Sequence, residues 1–292
     1  MLKIYSELIK LGIVIFVLLS GVAGYATSFI VEKPFDPIHF IFLIFGLYFL
    51  SAGSLALNQA QEWQQDQKMA RTSKRPIACG KISPKAGFWI ATIHLVAGGL
   101  FLYLTSAAAF VFGLLTVAMY NGFYVYIWKK KWAFGAVPGA IPGALPVTIG
   151  YVANDPSWYH TDSIYLFLIL FLWQIPHFWV LAIKYKDDYA KGDFPVLPVA
   201  LGNQKTFGQI IVYTILYVLV ALAAPWFMHT SWMYLAIIGP FVIFVVQTLI
   251  KYIRTDGEKW LGFFLWLNFS MLAFLFVPVI EKWRHLFVAF TS

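Results

Sequence analysis

Charge is scarce in this chain: of 292 residues only 12% are charged and 13 are acidic, while 61% are apolar and 19% aromatic, and mean hydropathy is +0.75. Such a composition excludes both an ordinary soluble domain and a disordered chain, and leaves an integral membrane protein. The single cysteine, Cys79, excludes an intrachain disulfide. No low-complexity tract, polar linker or second composition class interrupts the chain, so one domain over residues 1–292 is expected. No small-residue cleavage site follows the first apolar run, which therefore reads as a span and not as a removable signal peptide.

What is present is hydrocarbon in repeated runs, each long enough as a helix to cross a bilayer core of about 30 Å. Polar breaks divide the chain into nine such runs: 8–31, 38–57, 86–104, 107–128, 132–152, 163–183, 207–228, 232–250 and 260–280. The expected fold is thus all-α, a polytopic bundle of nine transmembrane helices around a central cavity. With the N-terminus cytoplasmic, 18 of the 21 basic residues fall on the inner side and only Lys33, Lys282 and Arg284 on the outer. That asymmetry puts the C-terminus outside and fits a bacterial inner membrane. It also accounts for the net charge of +8 through anionic lipid, without a nucleic-acid partner.

Acidic residues carry more information because carboxylates near lipid are costly. Two inner segments hold five of them: Glu62 and Asp66 after the second run, and Asp187, Asp188 and Asp193 after the sixth. If the second helix continues past the membrane, Asn58, Glu62 and Asp66 recur at every fourth residue and share one stripe. Oxygen ligands so placed suit Mg²⁺, which takes a few carboxylate or amide oxygens and leaves positions for substrate phosphate. In "KYKDDYAKGDFPVLP", Asp188 is the candidate for an opposing carboxylate. Lys and Arg interleave both clusters, which describes a clamp for metal and diphosphate.

The segment "NQAQEWQQD" resembles the N-x-x-x-(D/E)-x-x-x-D signature of the UbiA-type intramembrane prenyltransferases. "DQKMARTSKRPIACGKIS", "GAIPGALPVTIGY" and "WQIPHFWVLAIKYKDDYAKGDFPVLP" are similar to segments of one branch, the protohaem IX farnesyltransferases. Departures are local: Glu62 stands where many members have Asp, "YVYIWKKK" lacks a Thr, and Asp193 occupies an expected Gly. The resemblance implies transfer of the farnesyl group of farnesyl diphosphate to a vinyl group of haem B. Asn58, Glu62, Asp66 and Asp188 would then be catalytic, as ligands of Mg²⁺. Arg71 and Arg75, with Lys68 and Lys191 as weaker point charges, would hold the leaving diphosphate. It also implies hand-over of the product to a haem A synthase or an oxidase-assembly factor.

A flat macrocycle favours aromatic walls, and Trp173, Phe178 and Trp179 are one such set. His177 within "IPHFW" is a candidate axial ligand for haem iron, and His94 is a poorer one; a histidine satisfied by a neighbouring carbonyl is the ordinary alternative. "GAVPGAIPGALP" repeats Gly135, Gly139 and Gly143 beside Pro138, Pro142 and Pro146, which permits close packing and requires a bent helix. Two other readings stand beside this one. The acceptor could be another aromatic or a quinone precursor, or the chain could be a cation-coupled transporter, although no internal duplication supports transport.

Overall fold

The computed structural model describes residues 2–30, 32–228 and 230–291, with side chains to Arg284. Among the described residues nine long helices follow one another: α1 (Leu11–Ser28), α2 (Pro37–Gln61), α3 (Pro84–Thr105), α4 (Ala107–Lys131), α5 (Ala136–Tyr151), α6 (Thr161–Lys184), α7 (Asn203–Leu222), α8 (Trp232–Arg254) and α9 (Trp260–Thr291). No strand occurs among the described residues.

Their starts are written in short polar signals. Asp36 accepts from the backbone N–H groups of Ile38 and His39, with Pro37 at the first helical position; Ser83 before Pro84 does the same for α3, and Ser106 for α4. The expected first run of 8–31 is divided at its start. Lys10 adopts a left-handed φ of 51°, which separates a short helix (Leu2–Leu8) from α1, and Val31 lies outside the described residues.

Eight of the nine helices are long and apolar enough to cross a membrane. The exception is α5, which has 16 residues and spans about 24 Å. The fifth run was expected from 132, but residues 132–135 form a turn before the proline-rich segment begins. Short as it is, α5 is the most enclosed helix, with every residue from Ala144 to Tyr151 buried. Its glycines permit this. A Cβ at Gly150 would overlap the carbonyl of Gly21 on α1, and one at Gly24 would overlap that of Val147. The larger core packs α5, α6, α7, α8 and α9 around Tyr165, Trp179, Tyr217 and Phe274.

Two short segments cover one end of the bundle. A helix at Trp63–Lys68 runs into the turns of residues 69–83, and a second at Lys186–Lys191 follows α6. Met69, Ala182, Tyr189, Phe194 and Val196 join them in a small core of their own.

Candidate active site

Asn58 lies in the last turn of α2 and Glu62 caps the helix at φ −114°, a kink that does not unwind the chain. Glu62 N–H still donates to the Asn58 carbonyl at 3.0 Å and Asp66 N–H to the Glu62 carbonyl at 2.9 Å, so the expected stripe persists through the bend. All three side chains are buried.

Each has a basic partner. Lys129, at the end of α4, donates to Glu62 Oε2 at 2.6 Å, and Asn58 Nδ2 donates to the same oxygen at 2.9 Å. Arg75 Nη1 donates to both oxygens of Asp66, at 2.7 and 2.8 Å. Lys10 Nζ donates to Asn58 Oδ1 at 3.2 Å. Burial by itself would raise the pKa of Glu62, but Lys129, Asn58 and Lys10 outweigh it and hold the carboxyl below the usual carboxylate range. Burial, then the positive charges of Arg75 and Lys129, push Lys10 down to about 7.

One oxygen, Glu62 Oε1, is buried without a hydrogen-bond partner. A buried bare carboxylate oxygen beside an amide oxygen and a second carboxylate fits a hard divalent cation, which needs only one or two protein carboxylates when phosphate completes its shell. The fit does not extend to Asp188. Its Oδ1 accepts from Ala70 N–H at 3.2 Å and its Oδ2 from Arg71 N–H at 3.0 Å, so it braces the 69–75 turns. No group of three or more His, Cys, Asp or Glu with metal-holding geometry occurs among the described residues.

The other expected cations separate by position. Arg71 lies over the rings of Tyr185 and Tyr189, at 5.0 and 5.6 Å, and Nη2 donates to Tyr189 Oη. Arg71 and Arg75 line the cavity described below, whereas Lys68 turns outward to pair with Asp193 and Lys191 is exposed and does not line it. Asp193 has φ 60°, so the position where a glycine was expected does require the left-handed region.

A cavity of about 880 Å³ joins this end to the apolar interior. Lys10, Arg71 and Arg75 line it together with Tyr120 and Tyr124 of α4, Gln174 and His177 of α6, and Asn268 of α9. Ile13 and Phe16 also line it while exposed on the outer face, so it opens on the apolar flank of the bundle. His177 sits between Trp173 and Phe264, with ring centroids at 4.8 and 4.7 Å, and its buried Nδ1 has no hydrogen-bond partner. Trp173 and Phe178 line the same space. Trp179 does not: it is fully buried against Phe134 and Tyr213 in the core. His94 is also elsewhere, with Nδ1 at the Ile90 carbonyl and Nε2 at Tyr5 Oη.

Sequence reasoning missed Lys10 and the role of Lys129. Lys10 looked like one more inner-face charge, because nothing local reveals that the chain bends there and turns Nζ inward. For Lys129 a signal existed in "YVYIWKKK", but only the folded α4 shows which of three lysines reaches Glu62.

Comparison with known proteins accords with this geometry. The UbiA prenyltransferase family matches residues 14–272. The chain is 55% identical to protoheme IX farnesyltransferase of Bdellovibrio bacteriovorus over 99% of both chains. It is 31% identical to the protein of that name in Geobacillus sp. strain WCH70, over 95% of this chain and 90% of that one. In fold it is similar to a structure reported for digeranylgeranylglyceryl phosphate synthase in membranes, with a TM-score of 0.77 at 19% identity over 96% of this chain and 98% of the other. It is similar also to a UbiA homolog from Archaeoglobus fulgidus bound to GPP and Mg²⁺, with a TM-score of 0.62 at 17% identity over 94% and 99%. A match across this length, together with eight apolar helices, makes the chain a multi-pass membrane protein that belongs to the UbiA prenyltransferase family.

Proposed function

We propose that this prenyltransferase moves the farnesyl group of farnesyl diphosphate onto a vinyl group of haem B, releasing diphosphate and giving haem O. The observation that carries this reading is a single cavity bounded at one end by Lys10, Arg71 and Arg75 and along its wall by Trp173, His177 and Phe178. Near-full-length identity of 55% to a protoheme IX farnesyltransferase supports haem as the acceptor over other aromatics.

In this proposal Asn58, Glu62 and Asp66 hold Mg²⁺, and Asp188 holds the turn that carries Arg71. When bound, the ion supplies Lewis-acid neutralisation of the departing diphosphate. Arg75, Arg71 and Lys10 donate to diphosphate oxygens as the allylic carbon–oxygen bond lengthens. Lys129 fixes Glu62 in its ionised form. The apolar wall excludes water until the vinyl group has attacked, and His177 faces the macrocycle as a ligand for its iron.

All nine helices cross the membrane in the proposed arrangement, the short α5 being screened from lipid by its neighbours. The N-terminus and the cationic end face the cytoplasm, as the distribution of Lys and Arg supports. Both substrates partition into lipid, and the flank opening at Ile13 and Phe16 gives them a way in. Haem O then passes to a haem A synthase or an oxidase-assembly factor.

Membranes containing the protein, supplied with haem B, farnesyl diphosphate and Mg²⁺, are expected to yield a farnesylated haem detectable by mass. Absence of that product while a control enzyme is active would overturn the acceptor assignment. For His177→Ala, the absorbance spectrum of protein-bound haem is expected to shift; an unchanged spectrum removes iron ligation.

A further inference from the structure

The cationic end of the cavity creates a problem of sign. Lys10, Arg71 and Arg75 line it, and Lys129 stands behind it on Glu62. These charges favour departure of a diphosphate anion. The same charges disfavour the positive charge that heterolysis leaves on the farnesyl fragment, and in a low-dielectric site that repulsion is strong. A neutral, electron-rich surface close to that end would offset it.

Two rings of α4 meet the description. Tyr120 and Tyr124 both line the cavity, and their rings stack with centroids 5.6 Å apart and planes 20° from parallel. The segment that carries them is held to Gln61, the residue before Glu62, by Asn121, whose carbonyl accepts from Gln61 Nε2 at 3.0 Å, which puts the pair at the diphosphate end. The backbone that presents them is unusual: Ala118–Trp128 is wound as a π-helix, a rare form that tends to occur at functional sites. Asn121, between the two tyrosines, is buried and ties this segment to α2, donating to the Ser54 carbonyl at 2.9 Å and to Gln61 Oε1 at 3.2 Å.

The glycine repeat of α5 also finds a use here. A Cβ at Gly139 would stand 2.5 Å from Cε2 and 2.6 Å from Cδ2 of Tyr124, so only glycine lets that ring lie where it does. Four residues on, a Cβ at Gly143 would overlap the amide of Gln174, another lining group. The repeat therefore does more than bring helices together. It seats side chains of the cavity wall.

We propose that the stacked rings of Tyr120 and Tyr124 are the surface against which the allylic cation forms, with Gly139 as the positioning residue for Tyr124. This rests on the farnesyl transfer proposed above. The C1–O bond of farnesyl diphosphate breaks and its electron pair leaves with diphosphate. The cation at C1 is held over the ring faces until the vinyl π electrons form the new carbon–carbon bond. The charge then passes to the acceptor side chain, where water adds and releases a proton.

The test compares Phe and Leu at each position. Phe keeps the π face and Leu removes it, so Tyr124→Leu and Tyr120→Leu are each expected to lower kcat by about 30-fold, the effect of one desolvated cation–π contact. KM for farnesyl diphosphate is expected to stay within about twofold, because the interaction arises only in the transition state. Tyr124→Phe and Tyr120→Phe are expected to retain most of kcat, and the melting temperatures of all four variants to stay close to that of the unaltered protein. A second arm needs no turnover: a farnesyl analogue with an ammonium at C1, added with pyrophosphate and Mg²⁺, should bind the Leu variants about tenfold more weakly than the unaltered protein. Its uncharged counterpart should bind all of them alike. Leu variants with full kcat, equal losses in Leu and Phe variants, or an ammonium analogue that does not distinguish them would overturn the proposal. Failure of haem farnesylation in the unaltered protein would instead refute the acceptor assignment, and the ammonium arm would still decide the role of the rings.

Discussion

At the start of α6, Asp162 accepts from Tyr151 Oη at 2.9 Å and from Ser163 N–H at 2.8 Å, while Lys282 Nζ, 3.0 Å away, divides itself between this carboxylate and the Thr27 carbonyl. Beyond the other end of α6, one amide, Asn58, and three cations, Lys10, Arg75 and Lys129, surround the two carboxylates Glu62 and Asp66. Both clusters join several helices through charges withdrawn from water. The first is complete: one cation, one carboxylate, and a partner for each oxygen. Among the described residues, Lys10 in the second bonds the Asn58 amide and pairs with no carboxylate, and Glu62 Oε1 has no hydrogen-bond partner. Only the second borders the cavity. A complete cluster fastens helices, whereas an excess of cation beside a bare oxygen fits the diphosphate and Mg²⁺ proposed for this end.

The largest test of this contrast is Asp66→Ala. It removes one of two buried carboxylates at the cavity end and leaves Arg75 without its carboxylate partner. Turnover is expected to fall by at least about 100-fold, on the scale of losing a major electrostatic contact to the transition state. The protein should still insert and elute as a folded species, because the adjoining core around Met69 and Phe194 is untouched. Wild-type turnover in this variant would refute the metal site.

Next in size is Arg75→Lys. Nη1 alone holds both oxygens of Asp66, and a lysine that takes over this pair keeps the charge but has no further guanidinium nitrogens to offer the cavity, so kcat/KM is expected to drop by about tenfold. Lys68→Met is the internal control. Its partner Asp193 and itself are both exposed, away from the cavity, and activity should change less than about twofold, as for other surface pairs. Equal losses in the two variants would show that bulk charge, and not the geometry at Asp66, governs the site.

These two cations show how far the sequence could be read. Spacing alone placed Asn58, Glu62 and Asp66 on one stripe, because a helix repeats and the backbone bonds persist through the Glu62 kink. The sequence ranked Arg75 above Lys68 by the chemistry of the head group alone, since the turns of residues 69–83 decide which side chain points inward. Asp188 illustrates the same limit: a carboxylate in a charged segment is equally able to bind metal or to cap a turn, and here it meets two backbone N–H groups. Helix positions were legible from apolar runs, but the length of α5 was not. Its prolines and glycines permit a short helix only because neighbouring helices enclose it. Trp179 looked like its neighbours Trp173 and Phe178 until helix rotation turned it into the core.

At the complete cluster the expectation is reversed. Lys282→Met leaves Asp162 without its cation, and with side-chain exposures of 27% and 18% the pair is only partly shielded. The cost is expected to be about 1–2 kcal/mol, below that of a fully buried pair, seen as a melting temperature lower by a few degrees. The kcat for farnesyl transfer should be unchanged. A loss of kcat with stability intact would make this end part of the active site and dissolve the contrast.

The smallest effect concerns Lys10. Burial and the neighbouring cations depress it to about 7 in the folded chain, against an ordinary value near 10.5. Below pH 7 folded and unfolded chains both hold the proton, so this group adds no pH dependence. Between about 7 and 10.5 the unfolded chain keeps a proton that the folded chain has released, so the metal-free protein gains stability from Lys10 as pH rises. In Lys10→Met that contribution is gone, and melting temperature measured in chelator should climb less steeply over the same range. Pyrophosphate with Mg²⁺ should flatten the unaltered protein's curve in the same way, because an anion next to Nζ restores its proton. Identical slopes for the unaltered protein and Lys10→Met in chelator would mean that Lys10 keeps its proton without an anion, and that the excess cation at the cavity end is balanced from within the protein.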